Sequence, residues 1–172
     1  MFTRRLNLIH ASLALIVAGA AILIVAGKAS SSTPASCTPI DVVVWLKGRG
    51  NSTAGSAYYV LGLTNLSRRR CALRGYPGVS GVDVASRQLG TAAGQNRQTP
   101  VRLVILAPGS SARVVLQVND PDVFPPSACK PVTAAGLRVY LPQSTHASIV
   151  PVPFEACSRT GPAYLHVAAV TS

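Results

Sequence analysis

From residue 37 onward several segments of this chain carry apolar residues at every second position, and no segment carries a convincing helical period. In "ARVVLQV" (112–118), Val114, Leu116 and Val118 face one way while Arg113 and Gln117 face the other. That is the pattern of a strand in a sheet with one solvated face. "GLRVYLP" (136–142) alternates through Leu137, Val139 and Leu141, and in "SAYYVLGLTNLS" (56–67) Tyr59, Leu61 and Leu63 share a face. "IDVVVWL" (40–46), "VRLVIL" (101–106) and "AYLHVAAV" (163–170) are further short apolar runs, and a weaker one holds Val79, Val82 and Val84. "ASIVPVP" (147–153) carries prolines, which lack the N–H a ladder needs, so it is predicted at a sheet edge or as an extended loop. Thirteen prolines and fourteen glycines punctuate the chain. Together these predict an all-β fold, an immunoglobulin-like antiparallel β-sandwich of about seven to eight strands. The Cys–Trp–Cys spacing of antibody domains is absent, because Trp45 lies only eight residues after Cys37.

The first part of the chain is of another kind. Arg4 and Arg5 precede an apolar run of 22 residues, 6–27, and small and polar residues follow over 28–36. This is the layout of an export signal. The run exceeds the ~7–15 residues of a cleaved signal core and matches the ~20 that span a bilayer as a helix. Residues 1–29 therefore read as a signal peptide or a signal-anchor transmembrane helix, and the length favours the anchor. Small residues also permit cleavage after Ala29 or Ala35. The arginines would stay in the cytoplasm and send the rest outward. Residues 30–36 form a Ser/Thr/Pro linker, and 37–172 the extracytoplasmic domain. The expected location is the outer side of the cytoplasmic membrane, or secretion after cleavage. Tripeptides matching the glycosylation sequon start at Asn51 and Asn65 but carry little weight, since such matches are common by chance.

All four cysteines, Cys37, Cys71, Cys129 and Cys157, follow the export segment. Outside the cytosol an even number reads as disulfides. Three pairings are open. The order along the chain favours Cys37–Cys71 and Cys129–Cys157, each closing a loop of around thirty residues and contributing ~3–4 kcal/mol. The close C-x-x-C pairs of a zinc site are absent, so no metal is expected.

Catalytic patterns are weak. Ser80 in "GVSGV" (78–82) resembles a nucleophile elbow, but the motif needs G-x-S-x-G and a following helix, and the second glycine comes one place early. A triad would also need a histidine and a carboxylate. After the export segment the choice is His146 and His166 with Asp41, Asp83, Asp120, Asp122 and Glu155, a set that any chain of this size offers. Asp120 and Asp122 are closely spaced, but in "VNDPDVFPP" they read as turn chemistry before calcium or glycosidase chemistry. A blue-copper site could use Cys157 and His166, but the only methionine is Met1. No catalytic residue and no cofactor is expected.

The charge balance is more informative. Lys+Arg number 16 against 5 Asp+Glu; without Arg4, Arg5 and Lys28 the balance is 13 against 5, or +8. Such a surface favours anionic partners. The basic residues are scattered except for Arg68, Arg69 and Arg70 beside Cys71, which read first as a solvated turn at a strand end and second as a candidate anion-binding loop. Nucleic acid is not an expected partner, because basic residues are not interleaved with aromatics and the domain is exported.

"AGSAYYVLGLTNLSRRRCALRGYPGVSGVD" (54–83), "LAPGSSARVVLQV" (106–118), the "CKPVTAAGLRVYLP" segment (129–142) and a last cysteine before a final strand resemble the domain of unknown function 4232 family over about residues 37–170. The resemblance implies a secreted, disulfide-bearing β-sandwich of the exported and lipoprotein-type proteins of actinobacteria. It carries over no catalytic or binding residue. Many relatives are lipidated at a cysteine, and this chain departs there, with Pro34 three residues before Cys37 and no apolar core directly ahead of it. The expected role is non-enzymatic binding or envelope structure. The alternatives are a binder of anionic envelope polymer or lipid, and an envelope hydrolase with an unrecognised site.

Overall fold

The computed structural model describes residues 33–172 except Ala54. The expected export segment (1–29) and the start of the expected linker (30–32) lie outside the described residues. Among the described residues the fold is all-β, with one short 3-10 turn at Pro121–Val123 and no helix long and apolar enough to cross a membrane.

Among the described residues there are eleven strands. The larger sheet runs in the order β1 (Val42–Arg49), β2 (Ser56–Asn65), β8 (Ser111–Asn119), β11 (Leu165–Ala168) and β6 (Gly94–Asn96). The second sheet runs β10 (Ala147–Cys157), β9 (Pro131–Tyr140), β4 (Gly78–Val82) and β5 (Gln88–Leu89). A two-stranded ribbon joins β3 (Cys71–Arg74) to β7 (Leu103–Leu106). The alternation in the sequence is the alternation in the core. Tyr59, Leu61 and Leu63 of β2 are buried, and so are Ala112, Val114, Leu116 and Val118 of β8 and Val150, Val152, Phe154 and Ala156 of β10. The two main sheets contribute to one apolar cluster, a β-sandwich-like arrangement. Tyr59 on one meets Phe154 on the other at 6.2 Å between ring centroids.

Two expectations need correction. The strands number eleven rather than seven or eight, and the sheets are not purely antiparallel, because β11 pairs with β6 in parallel. The missed strands lacked a readable period. β5 and β6 have two and three residues, and β3 buries Cys71, Ala72 and Leu73 in succession. β3 is buried on both faces, with Cys71 and Leu73 on one and Ala72 on the other, so its sides do not divide into wet and dry. The proline-bearing β10 lies at the edge of its sheet. It absorbs an extra residue opposite β9 between Pro151 and Phe154. That bulge lets both strands keep their apolar residues inward.

The segment "CALRGYPGVSGV" (71–82) shows how local pattern misleads. Pro77 and Gly78 look like the centre of a type II turn, where the glycine takes positive φ. Instead Gly78 opens β4, and the positive φ, 113°, belongs to Gly75. Ser80 sits in the middle of β4, 3% exposed, opposite Arg138 of β9. Gly81 faces the core, where an added Cβ would collide with the Tyr164 hydroxyl and come within 3.2 Å of Phe154. Tyr164 is fully buried, and its hydroxyl donates to the Leu89 carbonyl at 3.1 Å. Burial pushes its pKa up to about 12, against a lowering by a backbone hydrogen bond at Gly81.

Candidate functional site

The loop of residues 66–70 is organised by one buried side chain. Asn65 ends β2 with no exposed surface. Its amide Nδ2 donates to the carbonyls of Arg69 (2.8 Å) and Leu106 (3.1 Å). Its Oδ1 accepts from the backbone N–H of Ser67 (2.9 Å) and from the Ser67 hydroxyl (2.8 Å). The first contact is an Asx turn, in which an Asn side chain imitates a turn of backbone. The same hydrogen bonds bar the sequon reading of Asn65, because a buried and engaged amide offers nothing to modify.

The far end of the loop is fixed by the Cys37–Cys71 disulfide, with 4.8 Å between Cα atoms. The second disulfide joins Cys129 to Cys157, so none of the four thiols is free. The linker reaches the fold here too. The Ala72 N–H donates to Ala35 and the Cys37 N–H to Ala72, both at 2.9 Å. The loop is thus held by an amide, a disulfide and a backbone ladder, while Arg68, Arg69 and Arg70 remain exposed.

The three arginines do not act as one cluster. Arg69 and Arg70 line a cleft of about 310 Å3 together with Ser36, Thr38, Asp41 and Ser67; Arg68 is not part of that lining. Asp41 is the acid of this cleft. The Thr38 hydroxyl donates to it at 2.7 Å and the Thr38 N–H at 3.3 Å. The Thr38 hydroxyl is the main cause that holds the Asp41 carboxyl below the usual range; desolvation opposes it, and the field of Arg69 adds a smaller lowering. Asp41 forms no ion pair with these arginines; among the described residues the ion pair is Arg87 with Asp83. An anion entering the cleft would meet two guanidinium groups, with the Thr38 and Ser67 hydroxyls already donated to Asp41 and Asn65.

A second, more apolar cleft of about 610 Å3 adjoins the first and shares Ser36 and Thr38 with it. Pro39, Ile40 and Pro142 give it its apolar character, and His146 sits at its edge. Ile40 is 96% exposed, and Leu66, whose N–H donates to the Asp41 carbonyl, is 67% exposed. Sequence reasoning missed Asn65, Thr38 and these two apolar residues. The Asn-x-Ser spacing was the available signal for Asn65. Nothing local marks the others, since they are joined to the loop only by the fold.

The remaining candidates are dispersed. His146 lies in the turn between β9 and β10, His166 on β11, and Ser80 on the opposite sheet from His166. Asp120 caps the 3-10 turn by accepting from the Asp122 N–H at 3.0 Å, which is turn chemistry. Cys157 is disulfide-bonded and so offers no thiolate to a metal. Among the described residues, no group of three or more His, Cys, Asp or Glu gathers as a metal site.

No curated protein matches the chain. A family model, described as a domain of unknown function, matches residues 37–171. The match starts at the first disulfide cysteine and runs through β11, so it covers the whole sandwich and the candidate loop with it: the chain belongs to the DUF4232 family.

Proposed function

We propose that this chain is a non-catalytic binding module, displayed on the outer side of the cytoplasmic membrane, that recognises an anionic component of the cell envelope. In this reading residues 6–27 are retained as a membrane anchor and the domain is an immunoglobulin-like sandwich. The two disulfides support an oxidising location. The observation that carries the binding role is the 66–70 loop. A buried amide and a disulfide hold its backbone, while the arginines it presents have no ion-pair partner among the described residues. Ordering a loop has an entropic cost, and here that cost is met by contacts beneath the backbone, leaving the guanidinium groups available.

The test uses the full chain in neutral detergent and retention on a sulfated polysaccharide as polyanion probe. The R68A/R69A/R70A variant should elute at clearly lower salt than the parent. A charge-matched variant, K47A/R97A/R102A, should fall much less. Equal losses in the two variants would mean that net charge alone drives binding, and would defeat the site.

A further inference from the structure

We infer that the loop end of the sandwich docks flat on an anionic lipid surface, with the arginines on lipid phosphates and with Ile40 and Leu66 in the interface. This deepens the proposed function and rests on its reading of residues 6–27 as an anchor. Three observations converge. The first is reach. The apolar run ends at Gly27, and Ala35 is hydrogen-bonded to β3. The seven residues between them, 28–34, extend to about 25 Å at most. The part of the domain that cannot move far from the bilayer is therefore the part beside Ala35, namely β3, the Cys37–Cys71 disulfide and the 66–70 loop.

The second observation is charge. This end presents Arg68, Arg69 and Arg70 against the single acid Asp41, whose carboxylate is occupied by Thr38. Attraction between a basic surface and an anionic membrane acts within about a Debye length, ~10 Å, so a tethered basic face is well placed to use it. The third is the exposed apolar pair. Ile40 and Leu66 flank Asp41, through the chain and through a hydrogen bond respectively. A soluble contact for an anionic polymer has no use for them. A lipid interface does, because it takes apolar side chains below the level of the headgroup charges. The apolar cleft beside Pro39 and Pro142 extends the same surface.

The experiment places the full chain in nanodiscs of phosphatidylcholine, and of an equimolar mixture of phosphatidylcholine and phosphatidylglycerol, and follows amide hydrogen exchange. Residues 37–41 and 66–70 should exchange about 10-fold or more slowly in the anionic discs, with the outer face of β8 unchanged. R68A/R69A/R70A and I40S/L66S should each lose that protection while keeping the exchange pattern of the core strands. Equal exchange in the two discs, protection that survives both variants, or a chain that enters neither disc would overturn the inference. The polyanion column separates the two readings. Normal retention with no lipid-dependent protection removes membrane docking and leaves the anion-binding module standing.

Discussion

The 83–87 turn and the 66–70 loop both carry arginine, and they handle its charge in opposite ways. In the 83–87 turn the organising side chain is an acid. Asp83 accepts from the N–H groups of Ala85 and Arg87 and pairs with the Arg87 guanidinium at 2.8 Å. In the 66–70 loop the organiser is the neutral Asn65, which likewise accepts from a backbone N–H two residues on, and also donates to the carbonyls of Arg69 and Leu106, with no charge of its own. The first turn consumes its positive charge within itself; the second leaves three positive charges for something outside. Backbone order and charge display are thus separable, and the choice between Asp and Asn at one position decides between them.

The largest break in this comparison should come from the disulfide. Replacing Cys37 and Cys71 together by serine removes a cross-link across 34 residues, which the loop-entropy estimate values at about 4 kcal/mol. Denaturant unfolding measures the loss, and a change below ~1 kcal/mol would show that Asn65 and the β3 ladder suffice. Next is Asn65→Asp, which makes the open loop resemble the closed one. It takes two donated hydrogen bonds from buried carbonyls and puts a charge where nothing is exposed. About 3 kcal/mol of stability should go, and retention on the polyanion should weaken with it.

Alkali supplies a contrast that touches neither turn. Tyr164 ionises near pH 10 in the unfolded chain and at about 12 in the folded one, because it is buried. Its contribution is complete below pH 10 and is lost as pH rises towards 12, at up to about 1.4 kcal/mol per pH unit. A Tyr164→Phe variant should show a flatter stability profile over that window. Asp83→Asn should have a smaller effect, a modest fall in melting temperature confined to the turn. The Arg87 backbone contact is the main cause that holds the Asp83 carboxyl below its usual value, with the Arg87 side chain adding to it. Its contribution is therefore present above pH ~4 and lost as pH falls through that lowered value, whereas the Asn65 amide itself does not titrate. The smallest change in stability belongs to R68A/R69A/R70A, whose melting temperature should match the parent. A clear loss would mean that the arginines hold the loop rather than face a partner.

Much of the sheet structure was legible from residue type alone. β8 was readable because it has one face inside and one outside, which imprints period two on the chain, whereas β10 was placed at a sheet edge or in an extended loop by its prolines. β3 was not readable, because it is covered on both sides, and β5 and β6 are too short for any period to show. At the candidate site the three arginines were visible as the one basic cluster. The division that puts Arg69 and Arg70 in a cleft with Thr38 and Asp41, and Arg68 outside it, was not.

Strand pattern, cysteine parity and net charge are sums or repeats along one chain, so the sequence determined that this domain is all-β, disulfide-bearing and basic. Which charges go unpaired depends on what the fold brings beside each of them. Only the tertiary structure decided that Asn65 would be sealed beneath its loop, that Ile40 and Leu66 would meet at Asp41, and that the linker would join the domain beside the arginines. Burial and hydrogen bonding between distant segments settle such matters, and those leave no repeat in the sequence to read.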